Sequence, residues 1–325
     1  MKPPVTAPDV YASVRDGLRR VEETLHELRP RDFPFLERTL DHILEAGGKR
    51  MRPAIALLAG KLDRYELDLL VPLAASIELL HSATLVHDDV IDGAATRRGR
   101  ATANALFDNA ATVMVGDYMF AHAAELVART GNIEVIRLFA RTLMAIATGE
   151  LHQDMSAYSY GQSTRDYFNR IAGKTASLFA TAAEGGAMIG GVAPAQVAAL
   201  RSYGENLGMA FQIVDDILDF TGDEAELGKP AGSDLMQGTL TLPALLLIER
   251  QPKNNPVKQY FAGRRRAESL RRALEMIRES DILDESYAVA ADFRDRAIDA
   301  LAALPGGEAR DTLTELAHWT TQRRA

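Results

Sequence analysis

The sequence has no cysteine among its 325 residues. Disulfides, thiolate metal sites and cysteine nucleophiles are therefore excluded, and the composition fits a reducing compartment. The opening stretch MKPPVTAPDV has no apolar core of signal-peptide length. Acidic residues such as Glu78, Asp88, Asp117 and Asp215 break the apolar stretches, so we expect no membrane-spanning helix. Together these features predict a cytoplasmic protein.

Basic runs and strand patterns are also scarce. The net charge is -8, with 25% charged and 47% hydrophobic residues, which is ordinary for a globular protein. The run GRRRAES at 263–269 is short and typical of a solvated helix start, so we expect no nucleic-acid partner. Alternating strands joined by hairpin turns are absent from the pattern. The sequence is thus expected to form helices.

Helical periodicity does fill most of the chain, and it predicts one all-α domain over residues 1–325. The predicted helices are 11–28, 35–46, one beginning at Pro53, 66–92, 104–129, 133–158, 165–188, 195–220 and 240–250, and further helices follow through the C-terminal third. Gly47 and Gly48 fit a C-cap, and the glycine-rich stretch 184–194 is predicted as a turn between helices. The polar loop 221–243 has a length that is usually functional or disordered.

Two acidic clusters end apolar helices. The clusters comprise Asp88, Asp89 and Asp92 in LLHSATLVHDDVIDG, and Asp215, Asp216 and Asp219 in FQIVDDILDFTG. The first and third carboxylates of each cluster share a helix face, while the middle one points roughly 100° away. Negative charge at a helix C-terminus opposes the macrodipole, so a cation is expected beside each cluster.

Carboxylate oxygens of this kind suit Mg²⁺ or Mn²⁺. Magnesium takes one or two carboxylates and completes its shell with water and phosphate oxygens, so each cluster would be half of a site. A solvated acidic helix end is the alternative, and for one isolated cluster it would be preferred. Two matched clusters, each followed by glycine, favour metal. Zinc is weakly supported, because His81 and His87 form no i, i+4 pair and no HExxH occurs.

Cations group around the acidic clusters. GGKRMRP at 47–53 leads through glycines into a helix N-terminus, which favours anions. TRRGR at 96–100 follows the first cluster, Lys174 lies in AGKTASLF, and Lys229 lies in the loop after the second cluster. Arginine binds phosphate through paired donors and lysine binds it as a point charge. Taken alone, each of these lysines and arginines is typical of a surface cation, but their grouping around the acidic clusters indicates a polyphosphate site.

The ordered motifs resemble those of the trans-isoprenyl diphosphate synthases, the polyprenyl synthetase family. They are GGKRMRP, LLHSATLVHDDVIDGAATRRG, VGDYMFA, GELHQD, GKTASLF, FQIVDDILDF and GKPAGSDLMQGTLTLP, and they cover residues 47–243. In detail they are most similar to long-chain members, whose products include octaprenyl diphosphate. The resemblance implies the isoprenoid synthase fold, a helical bundle around a deep central cavity, and usually a homodimer.

The resemblance also implies residue roles. Three Mg²⁺ ions, for which Mn²⁺ can substitute, would hold the allylic diphosphate on Asp88, Asp92 and Asp215, with Asp219 reached mainly through water. Asp89 and Asp216 would support these ligands. The allylic diphosphate itself would contact Arg97, Lys174 and Lys229. Isopentenyl diphosphate would bind Lys49, Arg52, His81 and Arg98. Thr175 and Gln212 would lie near the developing carbocation.

The implied reaction is ionisation of the allylic diphosphate, attack by the isopentenyl double bond and loss of a proton. Ala83 and Thr84 precede Asp88 and are small, whereas short-chain members of the family carry bulky aromatics at one or both positions. Leu80 and Ile77 are candidates for deeper positions in the tunnel, and Phe139 on a neighbouring helix is the candidate floor. We expect a heptaprenyl to decaprenyl product made from isopentenyl and farnesyl diphosphates, with transient membrane contact at product release. A farnesyl or geranylgeranyl product is the alternative, and the two small residues could instead only pack helices together.

Two other classes of protein are alternatives to a catalytically active member of this family. A terpene cyclase shares the fold, but its second metal motif is usually of another type and it does not need GGKRMRP. A non-catalytic subunit of a heteromeric synthase has typically lost the acids that this chain retains.

The sequence departs from the family pattern at Thr239, which occupies a position where many members carry lysine, so any diphosphate contact there is in doubt.

Overall fold

The computed structural model describes residues 10–30, 32–45, 47–97, 99–222 and 230–322, and these are mostly helical. The α-helices, in chain order, are α1 Arg15–Glu27, α2 Pro34–Glu45, α3 Met51–Gly60, α4 Leu67–Ile91, α5 Ala103–Leu106, α6 Asn109–Ala128, α7 Ile133–Met155, α8 Thr164–Ile171, α9 Ser177–Gly190, α10 Pro194–Thr221, α11 Ser233–Met236, α12 Leu242–Arg250, α13 Pro256–Phe261, α14 Arg266–Arg278, α15 Ile282–Ala300 and α16 Glu308–Gln322. Short 3₁₀ turns span Ala12–Val14 and Leu301–Ala303. The predicted all-α fold class is confirmed.

A small hairpin is one of the elements that the sequence did not predict. Strand β1, Thr96–Arg97, pairs antiparallel with β2, Arg100–Ala101, and Thr96 lies opposite Ala101. Gly99 has φ +72°, a left-handed conformation that suits glycine in a tight hairpin turn. The hairpin directly follows the first acidic cluster.

The chain forms two compact units that alternate along the sequence. The first contains the residues up to Thr142 together with Leu178–Gly204 and Ala300–Leu316. The second contains Leu143–Ser177, Glu205–Asp299 and the chain from Ala317 onward. The first acidic cluster lies in the first unit, and the second cluster lies in the second unit.

The first unit is built on α4, which packs against α6, α3 and α1. By length and composition α4 is apolar enough to cross a bilayer, with a mean hydropathy of 1.7. Glu78 is a single charge within a long apolar run, so acidic residues alone do not exclude such a segment here. In the structure 67% of the apolar window is buried in the protein, as in the core helix of a folded domain.

Glycines allow α9 to pack closely on α3 within the first unit. A Cβ atom at Gly186 would lie 2.1 Å from the Ala56 carbonyl oxygen, and one at Gly190 would lie 2.5 Å from that of Gly60. A turn between helices does lie within the predicted stretch 184–194, but it is shorter than predicted. Gly185, Gly186 and Gly190 belong to α9, and the chain turns only at Gly191, where φ is +77°, before α10 begins at Pro194.

The second unit has its own apolar core. Its largest buried members come from α8, α10, α12 and α14, and they include Tyr167, Ile213, Phe220, Leu245 and Ile277. The C-terminal half of α10 therefore has one face buried against other helices. That face fixes the orientation of the second acidic cluster, which lies on the same stretch of helix.

Candidate active site

The first acidic cluster ends α4 and divides into accessible and buried carboxylates. Asp88 is half-buried and Asp92 is exposed. Asp89 is only 6% exposed, and it accepts a 2.7 Å hydrogen bond from Arg97 Nε. Burial raises the pKa of the Asp89 carboxyl, and the Arg97 cation opposes that rise. The predicted diphosphate ligand Arg97 is therefore held in place by the middle aspartate.

A pocket of about 630 Å³, including its open mouth, adjoins this cluster within the first unit. Its polar lining comprises His42, Arg50, Glu78, His81, Ser82, Asp89, Arg97, Arg100 and Thr102. Guanidinium and imidazole groups at the wall of one pocket fit an anionic ligand. His81, a predicted ligand of isopentenyl diphosphate, belongs to this lining.

The other predicted isopentenyl ligands are placed differently. Lys49 is exposed. The guanidinium of Arg52 lies over the Phe179 ring, 4.4 Å from its centroid. Arg98 lies outside the described residues. Such stacking holds an arginine in one orientation while leaving its in-plane donors directed outward.

In the second unit a widened helical turn presents two predicted site residues. The π-helical segment Ala172–Ala176, which contains Lys174 and Thr175, separates α8 from α9, where the sequence predicted one continuous helix. A Cβ atom at Gly149 of α7 would lie 3.0 Å from the Lys174 nitrogen, so the two backbones pack closely. Lys174 Nζ donates a 2.5 Å hydrogen bond to Glu150. Turns of this type occur often at functional sites.

A buried hydrogen-bond chain connects Thr175 to the second acidic cluster. The Thr175 hydroxyl donates to Gln212 Oε1 at 2.6 Å, and Gln212 Nε2 donates to Asp216 Oδ1 at 2.7 Å. The Tyr167 hydroxyl donates to Asp216 Oδ2 at 2.7 Å. Burial, followed by the charge of Asp234, raises the pKa of Asp216 to about 8, although both hydrogen bonds act against the rise. The two residues predicted near the carbocation are thus fixed through Asp216.

The outer aspartates of the second cluster differ in exposure. Asp215 is exposed. Asp219 is 1% exposed, and its carboxylate accepts hydrogen bonds from the Ser233 hydroxyl at 2.7 Å and the Asp234 backbone N–H at 3.2 Å. Lys229 lies outside the described residues, and Thr239 donates its backbone N–H to the Asp234 carbonyl at 2.9 Å.

The carboxylates of the two clusters suit a metal ion whose coordination shell is completed by a bound ligand. Among the described residues, no group of three or more acidic or histidine side chains is arranged to hold a metal ion by itself. Each cluster does offer accessible carboxylate oxygens, at Asp88 and Asp92 or at Asp215. Mg²⁺ takes one or two carboxylates when water and phosphate oxygens fill its other positions. The residues therefore fit Mg²⁺ bound together with a phosphate ligand.

The predicted chain-length residues lie inside the first unit. Ala83 and Leu80 are fully buried, and Phe139 is 4% exposed. Thr84 is half-buried, and its hydroxyl donates to the His81 carbonyl at 2.7 Å. Thr84 is thus the more accessible of the two small residues that precede Asp88.

Among the described residues, several that contact the predicted site were not predicted, and Glu150, Tyr167 and Ser233 are examples. Glu150 pairs with Lys174, Tyr167 bonds Asp216, and Ser233 bonds Asp219. Glu150 belongs to the motif GELHQD, so the resemblance could have identified it. Tyr167 lies 49 residues from its partner and carries no local sequence signal.

An all-α chain with two acidic clusters and grouped cations defines the class of helical prenyltransferases. A family model described as "Polyprenyl synthetase" matches residues 33–277. The chain belongs to the polyprenyl synthetase family, as the motifs predicted, and it is a chain-elongating prenyltransferase.

Individual relatives agree with this assignment over nearly the whole chain. The chain is 39% identical to heptaprenyl diphosphate synthase component 2 of Geobacillus stearothermophilus over 314 residues, covering 97% of this chain and 98% of the relative. It is 38% identical to octaprenyl diphosphate synthase of Escherichia coli, covering 87% and 88%. A polyprenyl synthase structure from Caulobacter crescentus, complexed with calcium and isoprenyl diphosphate, superposes with a TM-score of 0.93 at 37% identity and covers 100% of both chains.

Proposed function

We propose that this enzyme condenses isopentenyl diphosphate with an allylic diphosphate, farnesyl diphosphate in the first instance, to make a long all-trans polyprenyl diphosphate in the cytoplasm. The observation that carries the proposal is the matched pair of acidic clusters. Each exposes at least one outer carboxylate, at Asp92 or Asp215, and buries its middle aspartate against Arg97 or Tyr167. Similarity to long-chain synthases supports the length of the product.

The proposed metal requirement is based on the carboxylates of the two acidic clusters. We propose that Asp88, Asp92 and Asp215 bind Mg²⁺, three ions per active site, with Asp219 acting mainly through water. Bound Mg²⁺ would neutralise charge on the departing diphosphate. The chain itself adds positive charge at Arg97 and Lys174, and it holds Thr175 and Gln212 as dipoles directed by Asp216. Fixed dipoles and charges of this kind stabilise a transition state without reorganising.

We propose that Lys49, Arg52 and His81 bind isopentenyl diphosphate, with Arg98 as a further ligand, and that Lys229 assists the allylic diphosphate. The double bond of isopentenyl diphosphate attacks the allylic carbon, and the proton then lost goes to the released diphosphate. Apolar helices exclude water, which would otherwise capture the cation. The stacking of Arg52 on Phe179 supports a preset diphosphate contact.

We propose the length of the product from the residues of α4 that precede Asp88. Thr84 lies one helical turn before Asp88, about 5.4 Å deeper, and is small and half-buried. A growing chain that passes this turn would lengthen towards heptaprenyl or decaprenyl products. Ala83 and Leu80 are buried beside it, and Phe139 is the candidate floor. A geranylgeranyl product is the alternative if Phe139 closes the tunnel early.

We propose that the enzyme is a homodimer. Three large apolar side chains of α7, Met144, Leu151 and Met155, are 62%, 63% and 84% exposed. Their spacing of seven and four residues places them on one helix face, and such a patch typically marks an interface. One relative is named as a component of its synthase, so a different second subunit is the alternative partner. Light scattering on the purified chain distinguishes the two, and Met155→Glu should shift a dimer towards monomer.

The decisive experiment measures incorporation of radiolabelled isopentenyl diphosphate with farnesyl diphosphate and Mg²⁺. Asp88→Asn and Asp215→Asn should each lower turnover at least about a hundredfold, since single electrostatic groups contribute about that much. Asp68→Asn is the matched control, because Asp68 is 90% exposed at the opposite end of α4. Inactive parent protein would favour a non-catalytic subunit, and cyclic hydrocarbon would favour a terpene cyclase. Near-normal turnover in both variants would remove the metal assignment.

A further inference from the structure

The segment after the second acidic cluster determines how Asp219 is oriented. The Gly232 backbone N–H donates to the Asp219 carbonyl at 2.7 Å. The Ser233 hydroxyl and the Asp234 backbone N–H then donate to the two different oxygens of the Asp219 carboxylate. Because both oxygens accept from one short stretch, any movement of that stretch turns the carboxylate. Three consecutive residues therefore fix one predicted metal-site aspartate.

The far end of the same segment rests on Tyr158. The Tyr158 hydroxyl donates to the Met236 carbonyl at 2.7 Å, and its backbone N–H donates to the Gly238 carbonyl at 2.9 Å. Gly238 has φ +86°, and a Cβ atom there would lie 2.7 Å from the Tyr158 nitrogen. The single helical turn α11 joins Ser233 to Met236, so it connects the two anchors directly.

Tyr158 is itself held in an unusual conformation. Its φ of +58° lies in the left-handed region, which is uncommon for a bulky residue. Arg266 stacks over its ring at 5.4 Å and over the Tyr260 ring at 5.3 Å, while Phe261 contacts it edge-on. Tyr260 also donates its hydroxyl to Met236 at 3.3 Å. Strained residues persist where surrounding contacts determine their position, and they cluster at functional sites.

We propose that Tyr158 is a positioning residue that acts through α11 and Ser233 to hold the Asp219 carboxylate in its metal-site orientation. This inference rests on the proposed function, which gives Asp219 its part in metal binding. It extends the site to a tyrosine whose link to Asp219 runs through α11 and Ser233. The property that it affects is the affinity for a divalent cation that binds together with a diphosphate.

The test measures equilibrium binding of Mn²⁺ in the presence of inorganic diphosphate, followed by electron paramagnetic resonance. Ser233→Ala removes the hydroxyl on Asp219, and Tyr158→Phe removes only the hydroxyl on Met236 while keeping the ring under Arg266. We expect the Kd for Mn²⁺ to rise about twofold to tenfold in both, the fold-change of one lost hydrogen bond. Ser233→Thr keeps a hydroxyl and should restore the parent Kd.

Controls separate positioning from general stability. Tyr160→Phe is the matched control, because Tyr160 is 52% exposed and contacts Lys258 through its ring face. It should leave Mn²⁺ binding unchanged, and the change in Kd of each variant is compared with its melting temperature in metal-free buffer. An unchanged Kd in Tyr158→Phe overturns the proposal, and so does a Kd that rises only in step with lost thermal stability. A parent protein that incorporates no isopentenyl diphosphate would instead refute the proposed function.

Discussion

Arg50 donates a 2.6 Å hydrogen bond from Nη1 to Oε1 of Glu78, a residue of α4 that is only 5% exposed. The same guanidinium donates to both carboxylate oxygens of Glu22. Arg50 has φ +48° at the residue that precedes α3, so its side chain turns back into the first unit. One cation of the motif GGKRMRP therefore holds the fold together, while Lys49 is exposed and Arg52 stacks on Phe179.

Arg50→Ala should lower the free energy of unfolding by about 3–5 kcal/mol, because it leaves the Glu78 carboxylate buried without this partner. Urea unfolding measures the change. Arg19→Ala is the control, since Arg19 pairs with Asp16 and Glu23 at the surface, where solvent screens the charges and such pairs add little to stability. Equal losses in the two variants would mean that the Arg50–Glu78 pair adds nothing through burial.

Two neighbouring glycines of α9 should respond differently to alanine. At Gly186 the new methyl would meet the Ala56 backbone, which cannot yield without moving α3, so we expect a loss of about 1–3 kcal/mol or more. At Gly185 the nearest atom is the end of the Leu73 side chain at 3.3 Å, which can rotate. Thermal melting of the pair tests this prediction, and an equal change in both would contradict the close helix contact.

Tyr167→Phe should destabilise the second unit. It deletes the hydroxyl that donates to the buried Asp216 carboxyl while preserving the ring in the core. Leaving a buried polar group with one partner fewer costs about 1–3 kcal/mol. The change would appear in urea unfolding, with the exposed Tyr160→Phe as a control that should unfold like the parent. Parent-like stability in Tyr167→Phe would show that Gln212 alone satisfies Asp216.

The two diphosphates should be separable by mutation. Arg52→Ala should raise KM mainly for isopentenyl diphosphate, and Lys174→Ala should raise it mainly for the allylic partner. Loss of a charge-assisted contact of about 1.5–3 kcal/mol corresponds to roughly tenfold to a hundredfold. Steady-state kinetics with each substrate varied in turn measures both values. If both variants raise both KM values equally, the division of ligands between the substrates is wrong.

Much of this architecture follows from local sequence patterns. The predicted helix 66–92 is found as Leu67–Ile91 and 195–220 as Pro194–Thr221, because apolar periodicity and flanking breakers act within a few residues. The acidic clusters were found by their spacing alone. Their family resemblance was then confirmed by the match over residues 33–277.

The features that sequence reasoning missed depend on contacts distant in the chain. The packing of Gly186 on Ala56 joins residues 130 positions apart, so the glycines appeared to mark a turn. The π-helical turn at Lys174 depends on the close approach of Gly149, and local propensity does not encode it. Likewise, nothing near Tyr158 indicates that its hydroxyl reaches Met236, 78 residues away.

The most direct test of the account is the mass of the product that the purified enzyme makes from farnesyl diphosphate, excess isopentenyl diphosphate and Mg²⁺. Mass spectrometry of the extracted lipid should show a ladder of five-carbon increments that ends between heptaprenyl and decaprenyl diphosphate. Thr84→Phe should shorten that ladder while the first condensation continues, because it obstructs the turn below Asp88. A parent product no longer than geranylgeranyl diphosphate, or no lipid product that depends on isopentenyl diphosphate, would contradict the account.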